Sequence, residues 1–479
     1  MTVLVLHAET EESNLSRRLG QRDYSYFFVL QAFRRLLEGF GGERCKVVTV
    51  RSVPETESHD GTEAVSHTVP GQVEAIGEIC RRVEQPCVFL CFTPPHSVPT
   101  CRGVETIPVF AWEFSDLPDE SIPEMPELDW TRVLARHGRA ITHSSFAAGV
   151  VRKAMGADFP VASIPAPVWD RFQGLGGGEK PSFQKRRLEI RDYDVLCDRR
   201  ESSDAGPPVK PLKTTGASGT FNLDKLLQDA YEGRRDRRDE PPAEVLSLGD
   251  GVVFTAVLNP MDERKNHREI VAAFGEAMRD RADATLVLKL TCSEAQRRWS
   301  AEIWSVLRSL PPSSCRIVVI FGLLPTETYR DLIRATHVAV NASAGEGQCL
   351  PLMEFMSSGR PAIAPKHTAM VDYVTEDNAW IVETSPQPST WPCDPRELVR
   401  TTSRRVDTGS LAAAFEASYD VVKRDPERYR AMSRSATESL REFCSEQVVA
   451  RRLVDFVLDA PSPSGLGGDG EPGVGTRGR

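Results

Sequence analysis

The sequence predicts an α/β protein with two doubly wound parallel sheets facing each other across a cleft. Three observations lead there. Short β-branched apolar runs alternate with amphipathic stretches, which is the pattern of parallel α/β construction. The alternation stops near Gly174 and restarts after Glu244, as if two domains were joined by a connection of different character. The 479 residues are also more than one ordinary core organises.

In the first half, residues 3–6, 47–50, 88–92, 109–112, 140–142 and 161–164 are expected as strands. Apolar residues recurring every three or four positions mark a helix over 24–37. A second helix is expected over 146–155, with Ser144 and Ser145 as candidate N-caps. In the second half, strands are expected at 252–258, 285–290, 316–321, 338–341, 362–364 and 380–382. The helices expected there cover 267–278, 294–310, 327–335, 351–357 and 411–423, and further helices are expected within 429–456. Between the halves, Gly, Pro, Ser and charge-rich segments read as linker, with one helix expected at 223–231. The expected organisation is therefore a first domain over 1–170 and a partly disordered linker and insertion over 171–247. A second domain covers 248–440, a terminal helix 441–460 and a disordered Gly, Ser and Pro-rich tail 461–479. A lid role for the insertion stays open beside that of a solvated loop.

Bulk composition narrows the function classes. Lys and Arg total 59 against 68 Asp and Glu, so the net charge is −9, which argues against nucleic acid as the main partner. The first residues, Met1-Thr-Val-Leu-Val-Leu, read as a buried strand and not as a signal peptide. No apolar run approaches the roughly 18–20 residues that span a bilayer. The expected location is the cytoplasm, with peripheral contact at the inner face of the membrane left open. The eleven cysteines lack metal-knuckle spacing, so reduced thiols are expected, with no disulfide and no metal site. No Gly-x-x-x-x-Gly-Lys-Ser/Thr and no Gly-x-Gly-x-x-Gly occupies a strand-to-helix turn, which disfavours P-loop and hydride-transfer enzymes.

The most informative segment runs from Asn341 to Pro361. A strand ends in small residues, Glu346 follows between Gly345 and Gly347, and Pro351 stands where a helix would begin. Backbone N–H groups around Gln348, Cys349 and Leu350, at the positive end of that helix, suit a diphosphate. Glu354 would lie in the helix's first turn. The two carboxylates would thus address different parts of one ligand, each accepting hydrogen bonds from paired sugar hydroxyls. Arg264 and Lys265 fall between a strand and a helix and face the same cleft. An exposed basic pair is the plain reading of the two.

The segment resembles the donor-site motif of the GT-B-fold, family-4 retaining glycosyltransferases. Residues 252–266, residues 322–332 and Ser144-Ser145-Phe146 agree with that family. The resemblance covers the second domain well, the first loosely and the insertion not at all. It implies two Rossmann-like domains with a C-terminal helix returning to the first, and a metal-independent, hexosyltransferase-type enzyme that retains anomeric configuration. No cofactor is implied beyond the nucleotide-diphosphate sugar, which serves as donor substrate.

Glu346 would meet the transferred sugar and Glu354 the nucleotide ribose. The family resemblance of their segment implies that Arg264 and Lys265 neutralise charge building on a leaving diphosphate. Asn259 occupies the position, six before Lys265, where the family often has arginine. The loop after the first strand, His7-Ala-Glu-Thr-Glu-Glu-Ser-Asn, lacks the family's glycine pair. On the acceptor side, Glu113 is a candidate base or an ordinary strand-end carboxylate. His96 and Trp112 are candidates for the acceptor cleft, and His143 either reaches phosphate or precedes a cap. The partners implied are a nucleotide-sugar donor and a glycan, lipid-linked or small-molecule acceptor, in glycan or glycoconjugate biosynthesis. The alternatives are a catalytically silent nucleotide-sugar-binding scaffold of a glycan-assembly complex and a sugar-nucleotide epimerase of the same fold.

Overall fold

The computed structural model describes residues 1–52, 68–176, 181–198, 244–293 and 301–458, less positions 22, 41–43, 191–192, 249, 392–393, 395–396 and 398. The helix expected at 223–231, the start of that expected at 294–310 and the tail 461–479 lie outside the described residues.

The first sheet contains β1 (Thr2–His7), β2 (Cys45–Thr49), β3 (Cys87–Cys91), β4 (Glu105–Phe110), β5 (Ala140–Thr142) and β6 (Val161–Ser163). Their order is β2-β1-β3-β4-β5-β6, and every pairing is parallel. Burial on both faces explains the continuous apolar runs. In β3, Val88 and Leu90 join one core cluster while Phe89 and Cys91 join another on the opposite face. Helices cover these faces, including Ser25–Phe40 and Ser145–Met155. Ser144 caps the latter, its hydroxyl accepting from the Ala147 amide at 3.1 Å. Besides two one-turn helices, Leu15–Arg18 and Trp169–Phe172, two longer helices were not expected from the sequence, Val69–Arg82 and Trp130–His137. The second is started by the Asp129 carboxylate and stopped by Gly138, in the left-handed region at φ 74°.

The linker region contributes β7 (Arg186–Ile190), β8 (Tyr193–Asp198) and β9 (Glu244–Leu248). Strands β7 and β9 form an antiparallel ribbon. The second sheet then takes β10 (Val252–Leu258), β11 (Ala284–Leu290), β12 (Arg316–Phe321), β13 (Val338–Val340), β14 (Ala362–Ala364) and β15 (Ala379–Ile381). The order is β15-β14-β13-β10-β11-β12-β8, parallel except for β8, which pairs antiparallel with β12. Residues expected to be linker therefore supply the edge strand of the second sheet.

Two features tie the halves together. A hairpin of β16 (Thr384–Thr390) and β17 (Arg400–Val406) leaves the second domain, and its Thr402 amide donates to Ser115 Oγ at 3.0 Å. At its tip Trp391 packs edge-on against Trp130, with ring centroids 5.6 Å apart, and against His96 at 5.7 Å. The described residues end in the helices Pro426–Cys444 and Glu446–Leu453 and a single π turn, Val454–Leu458. Leu440, Phe443, Val449, Leu453 and Val457 join a core cluster that runs from the first domain into the second, and Glu446–Leu453 packs on Ser25–Phe40 of the first domain, as a returning terminal helix requires. Polar contacts fix the docking. The Glu446 amide donates to Asp170 at 2.6 Å, and buried Arg139 bridges Glu105 at 2.6 Å and the Phe456 carbonyl at 2.7 Å.

Removing one partner of a buried pair leaves the other charged and desolvated. Arg139→Ala is expected to lower stability by about 3 kcal/mol and to raise amide hydrogen exchange selectively over 446–458. Exchange confined to the neighbourhood of Glu105 would mean that Arg139 does not hold the terminal segment.

Candidate functional site

In the second sheet the chain starts at β10, runs out through β11 and β12, then crosses back to β13 on the other side. The loops after β10 and β13 diverge at this reversal and leave a crevice at the carboxyl ends of the strands. The β10 loop carries Asp262, Arg264 and Lys265 in a single 3-10 turn, with Asp262 accepting from the Arg264 amide. The β13 loop carries Asn341 through Cys349 and leads into the helix Leu350–Ser357.

Glu346 and Lys265 meet here. The Lys265 ammonium donates to both carboxylate oxygens, at 2.7 and 2.8 Å. Asn341 Nδ2 and Ser343 Oγ add hydrogen bonds to Oε1 at 3.0 and 2.6 Å. Burial alone would push the Glu346 carboxyl up, but Lys265, Ser343 and Arg264 outweigh it and hold it at about 2. The same pairing overcomes burial at Lys265 and raises its pKa. Glu346 is thus a fixed anion and Lys265 a fixed cation at every physiological pH.

Arg264 points across the cleft. Its guanidinium is bound by Asp262, at 2.9 and 2.7 Å, and hydrogen-bonds Glu113, which stands just beyond the end of β4 in the first domain. Its carbon atom lies 5.8 Å from the centre of the Phe114 ring. Burial raises the Glu113 pKa despite Arg264, with Asp262 and Glu346 adding to the rise.

Glu354 sits differently. It is the fifth residue of its helix, at the start of the second turn and not in the first, and it accepts a 2.6 Å hydrogen bond from the Tyr329 hydroxyl. Burial pushes its carboxyl up to about 7, with Tyr329, Arg171 and Lys289 pulling the other way.

Sequence reasoning missed Tyr329 and Lys289. Tyr329 belongs to the helix Thr326–Ala335, and Lys289 to the apolar run of β11. Helical spacing and a lysine among leucines were the available signals.

The cleft between these groups is closed. A Cβ at Gly347 would lie 2.6 Å from Ala111 Cβ and 3.1 Å from the Trp112 amide nitrogen, and one at Gly345 3.0 Å from the Glu113 carbonyl. The two glycines therefore permit backbone-to-backbone approach of the domains. A cavity of about 10 Å³ remains beside Asn341, Cys349 and Pro351, enough for about one water. Another of about 600 Å³ opens at the base of the hairpin, lined by Asn266, Glu383, Arg404 and Asp407 among other residues of the second domain.

A model of the family described as glycosyl transferases group 1 matches residues 249–399. The second domain is a glycosyl transferases group 1 domain. No curated protein matches the chain. HepE of Anabaena, solved with UDP and glucose, is 12% identical with a TM-score of 0.51, over 96% of this chain and 100% of that one. Sucrose-phosphate synthase of Thermosynechococcus elongatus is 13% identical with a TM-score of 0.52, over 95% and 98%. These likenesses establish the fold: two Rossmann-like domains facing across a cleft, the GT-B architecture.

Within this group 1 domain, Gly345, Gly347 and Gln348 are buried, while Cys349 and Leu350 are half-buried. Gln348 Oε1 accepts from the Ala166 amide of the first domain at 2.5 Å. Cys349 holds a left-handed backbone at φ 63°, strained for a residue with a side chain, and turns the chain into the helix with proline in its first turn. Asn259 also reaches across, donating to the Gly20 carbonyl at 2.8 Å. Asp372 likewise accepts from the Ser145 amide at 2.8 Å.

On the acceptor side, Trp112 is buried and its indole N–H donates to the Asp116 carbonyl at 3.1 Å. His96 stacks on Trp130 with centroids 5.8 Å apart. Both side chains pack in an aromatic cluster with Trp391. Buried His143 bonds the Ile164 carbonyl at 3.0 Å through Nδ1, and burial holds its pKa near 4, so it packs as a neutral ring. Among the described residues, no three His, Cys, Asp or Glu side chains converge to hold a metal ion.

Because the folded-state pKa of Glu354 lies near 7, above its ordinary 4.5, folding retains a proton that the unfolded chain releases. Its effect is nil below the lower value, and it costs stability progressively as pH rises to the upper one. Glu354→Gln keeps an acceptor for Tyr329 and removes the titration. The variant should therefore gain stability relative to wild type between about pH 5 and 8, by roughly 1–3 kcal/mol. Denaturant midpoints at the two pH values measure this, and an equal difference at both would show that Glu354 does not hold the proton.

Proposed function

We propose that this chain is a retaining glycosyltransferase that moves a sugar from a nucleotide-diphosphate sugar to an acceptor hydroxyl in glycan or glycoconjugate biosynthesis. The observation that carries this is the Lys265–Glu346 pair at the reversal point of the group 1 domain, with Arg264 and Glu113 facing it from either side. A fixed anion and two cations, gathered at a largely buried domain boundary, suit a ligand with paired hydroxyls at one end and a diphosphate at the other.

When donor enters, the domains part and Lys265 and Arg264 turn from their carboxylate partners to the diphosphate. There they stabilise the charge that builds as the sugar–phosphate bond breaks. Glu346 accepts from hydroxyls of the transferred sugar, and Glu354 from the ribose. The acceptor oxygen attacks on the face that the diphosphate leaves, and a diphosphate oxygen takes its proton, so no protein nucleophile is required. Glu113, with its pKa raised, orients the acceptor hydroxyl. Reclosure keeps water from the activated sugar.

A second reading, a catalytically silent nucleotide-sugar-binding scaffold, has one observation in its favour: Glu113 is already committed to Arg264. Turnover separates the two. Incubated with a panel of nucleotide sugars and candidate acceptors, the enzyme should release nucleoside diphosphate only when both are present, and the product anomer should match the donor by NMR. Glu346→Gln and Lys265→Met are expected to lower that rate by about 100-fold or more while the fold persists by circular dichroism. Binding of a nucleotide sugar without turnover would favour the scaffold, and unchanged rates in both variants would displace the site.

A further inference from the structure

Strand β11 is buried along its whole length, and its two faces differ in one respect. Ala284, Leu286, Leu288 and Leu290 enter the main core of the second domain, whereas the opposite face presents Thr285, Val287 and then Lys289. Lys289 is 4% exposed. Among the described residues, its ammonium has one polar partner, the Thr291 hydroxyl at 2.9 Å. An ammonium offers three donors and a full charge, and one neutral hydroxyl satisfies neither.

The surroundings show where the charge is directed. Lys289 is level with Val257 of β10, which lines the small cavity at Asn341 and Cys349. Its field acts on Glu354, with no ion pair between them, and burial lowers its own pKa to about 8. Thr291 also lies close enough to Tyr24 of the first domain to act on its hydroxyl, so Tyr24, Thr291 and Lys289 come together where the two domains meet. Structural ammonium groups are ordinarily matched by a carboxylate within reach, as Lys265 is matched by Glu346. A buried lysine left beside a ligand cleft with a single hydroxyl calls for an anion that comes and goes.

We propose that Lys289 binds the phosphate attached to the ribose of a nucleoside diphosphate. The inference rests on the donor site proposed above and adds to it a cation that the loops bearing Arg264, Lys265 and Glu346 do not supply. With Glu354 on the ribose and Lys265 on the phosphate that carries the transferred sugar, the phosphate between them lies within the field of Lys289. No other part of the donor at that end carries the charge the ammonium lacks. The two glutamates then hold the ribose and the transferred sugar at the ends of one extended ligand, and the two lysines hold the phosphates between them.

The test is calorimetric titration of the full chain with a matched nucleoside, nucleoside monophosphate and nucleoside diphosphate, for each common base. Wild type should gain affinity when the first phosphate is added. Lys289→Met, which suits the apolar strand, and Lys289→Gln, which keeps a donor for Thr291, should each lose that gain. Monophosphate and diphosphate affinities should fall about tenfold or more, with nucleoside affinity unchanged. Melting curves identify a variant that has failed to fold, and the other variant then decides. If wild type binds diphosphate and the folded variants keep the phosphate gain, or lose nucleoside affinity in parallel, the role of Lys289 is overturned and the donor site stands. If wild type binds no nucleoside diphosphate, both inferences fall together.

Discussion

The approach of two stretches of backbone, residues 111–113 after β4 and residues 345–347 after β13, is the constraint on which the site depends. It brings the ends of two separately built sheets within van der Waals distance, and it is possible because glycines stand on one side. Asp262, Arg264, Glu113, Lys265 and Glu346 are thereby compressed into one water-poor seam. Charges in such a place interact more strongly than at the surface, and none can be removed without stranding its neighbour. The seam is therefore a domain interface and, on the function proposed above, the reactive site as well. Arg264 belongs to both, since it is held by Asp262 on its own loop and by Glu113 on the other domain.

Within that seam two residues of the same type are set to opposite states. Glu346 lies under an ammonium, a hydroxyl and an amide, and it stays ionised. Glu354, in the next helix, is half-buried against a phenol and holds its proton up to about pH 7. Environment alone separates them, which is the usual way a protein obtains different chemistry from identical side chains. The separation also suits a ligand of uneven polarity, with a charged middle and neutral hydroxyl-bearing ends.

Much of the fold was legible because buried parallel strands leave little freedom of composition. Runs such as Val252–Leu258 and Arg316–Phe321 could hardly be anything else, and the structure places strands on them. The β16–β17 hairpin was not legible, since Thr-Ser-Pro-Gln-Pro-Ser-Thr and Arg-Thr-Thr-Ser-Arg-Arg-Val read as polar loop. Its order comes from pairing with itself and from Trp391 reaching an aromatic cluster almost 300 positions away in sequence. The helix Trp130–His137 was missed for a related reason: it is short, and its caps are clearer than its periodicity. At the site, the glycines and the proline of the β13 loop singled out Glu346 and Glu354. Lys265 was legible as a residue of the same cleft, but its direct pairing with Glu346, the Tyr329 hydroxyl on Glu354 and the field of Lys289 there come from tertiary packing that no local pattern encodes.

The docking of residues 446–458 on the first domain has a consequence for how the molecule is made. A ribosome delivers the sheet of β1–β6 before the segment that covers Arg139 and Asp170, which follows the whole second sheet. Until that segment emerges the first domain keeps an uncovered apolar flank, which residues 446–458 then close like a clasp. Cutting between the sheets would not yield two self-sufficient halves, because the earlier half would lack a wall encoded beyond the later one.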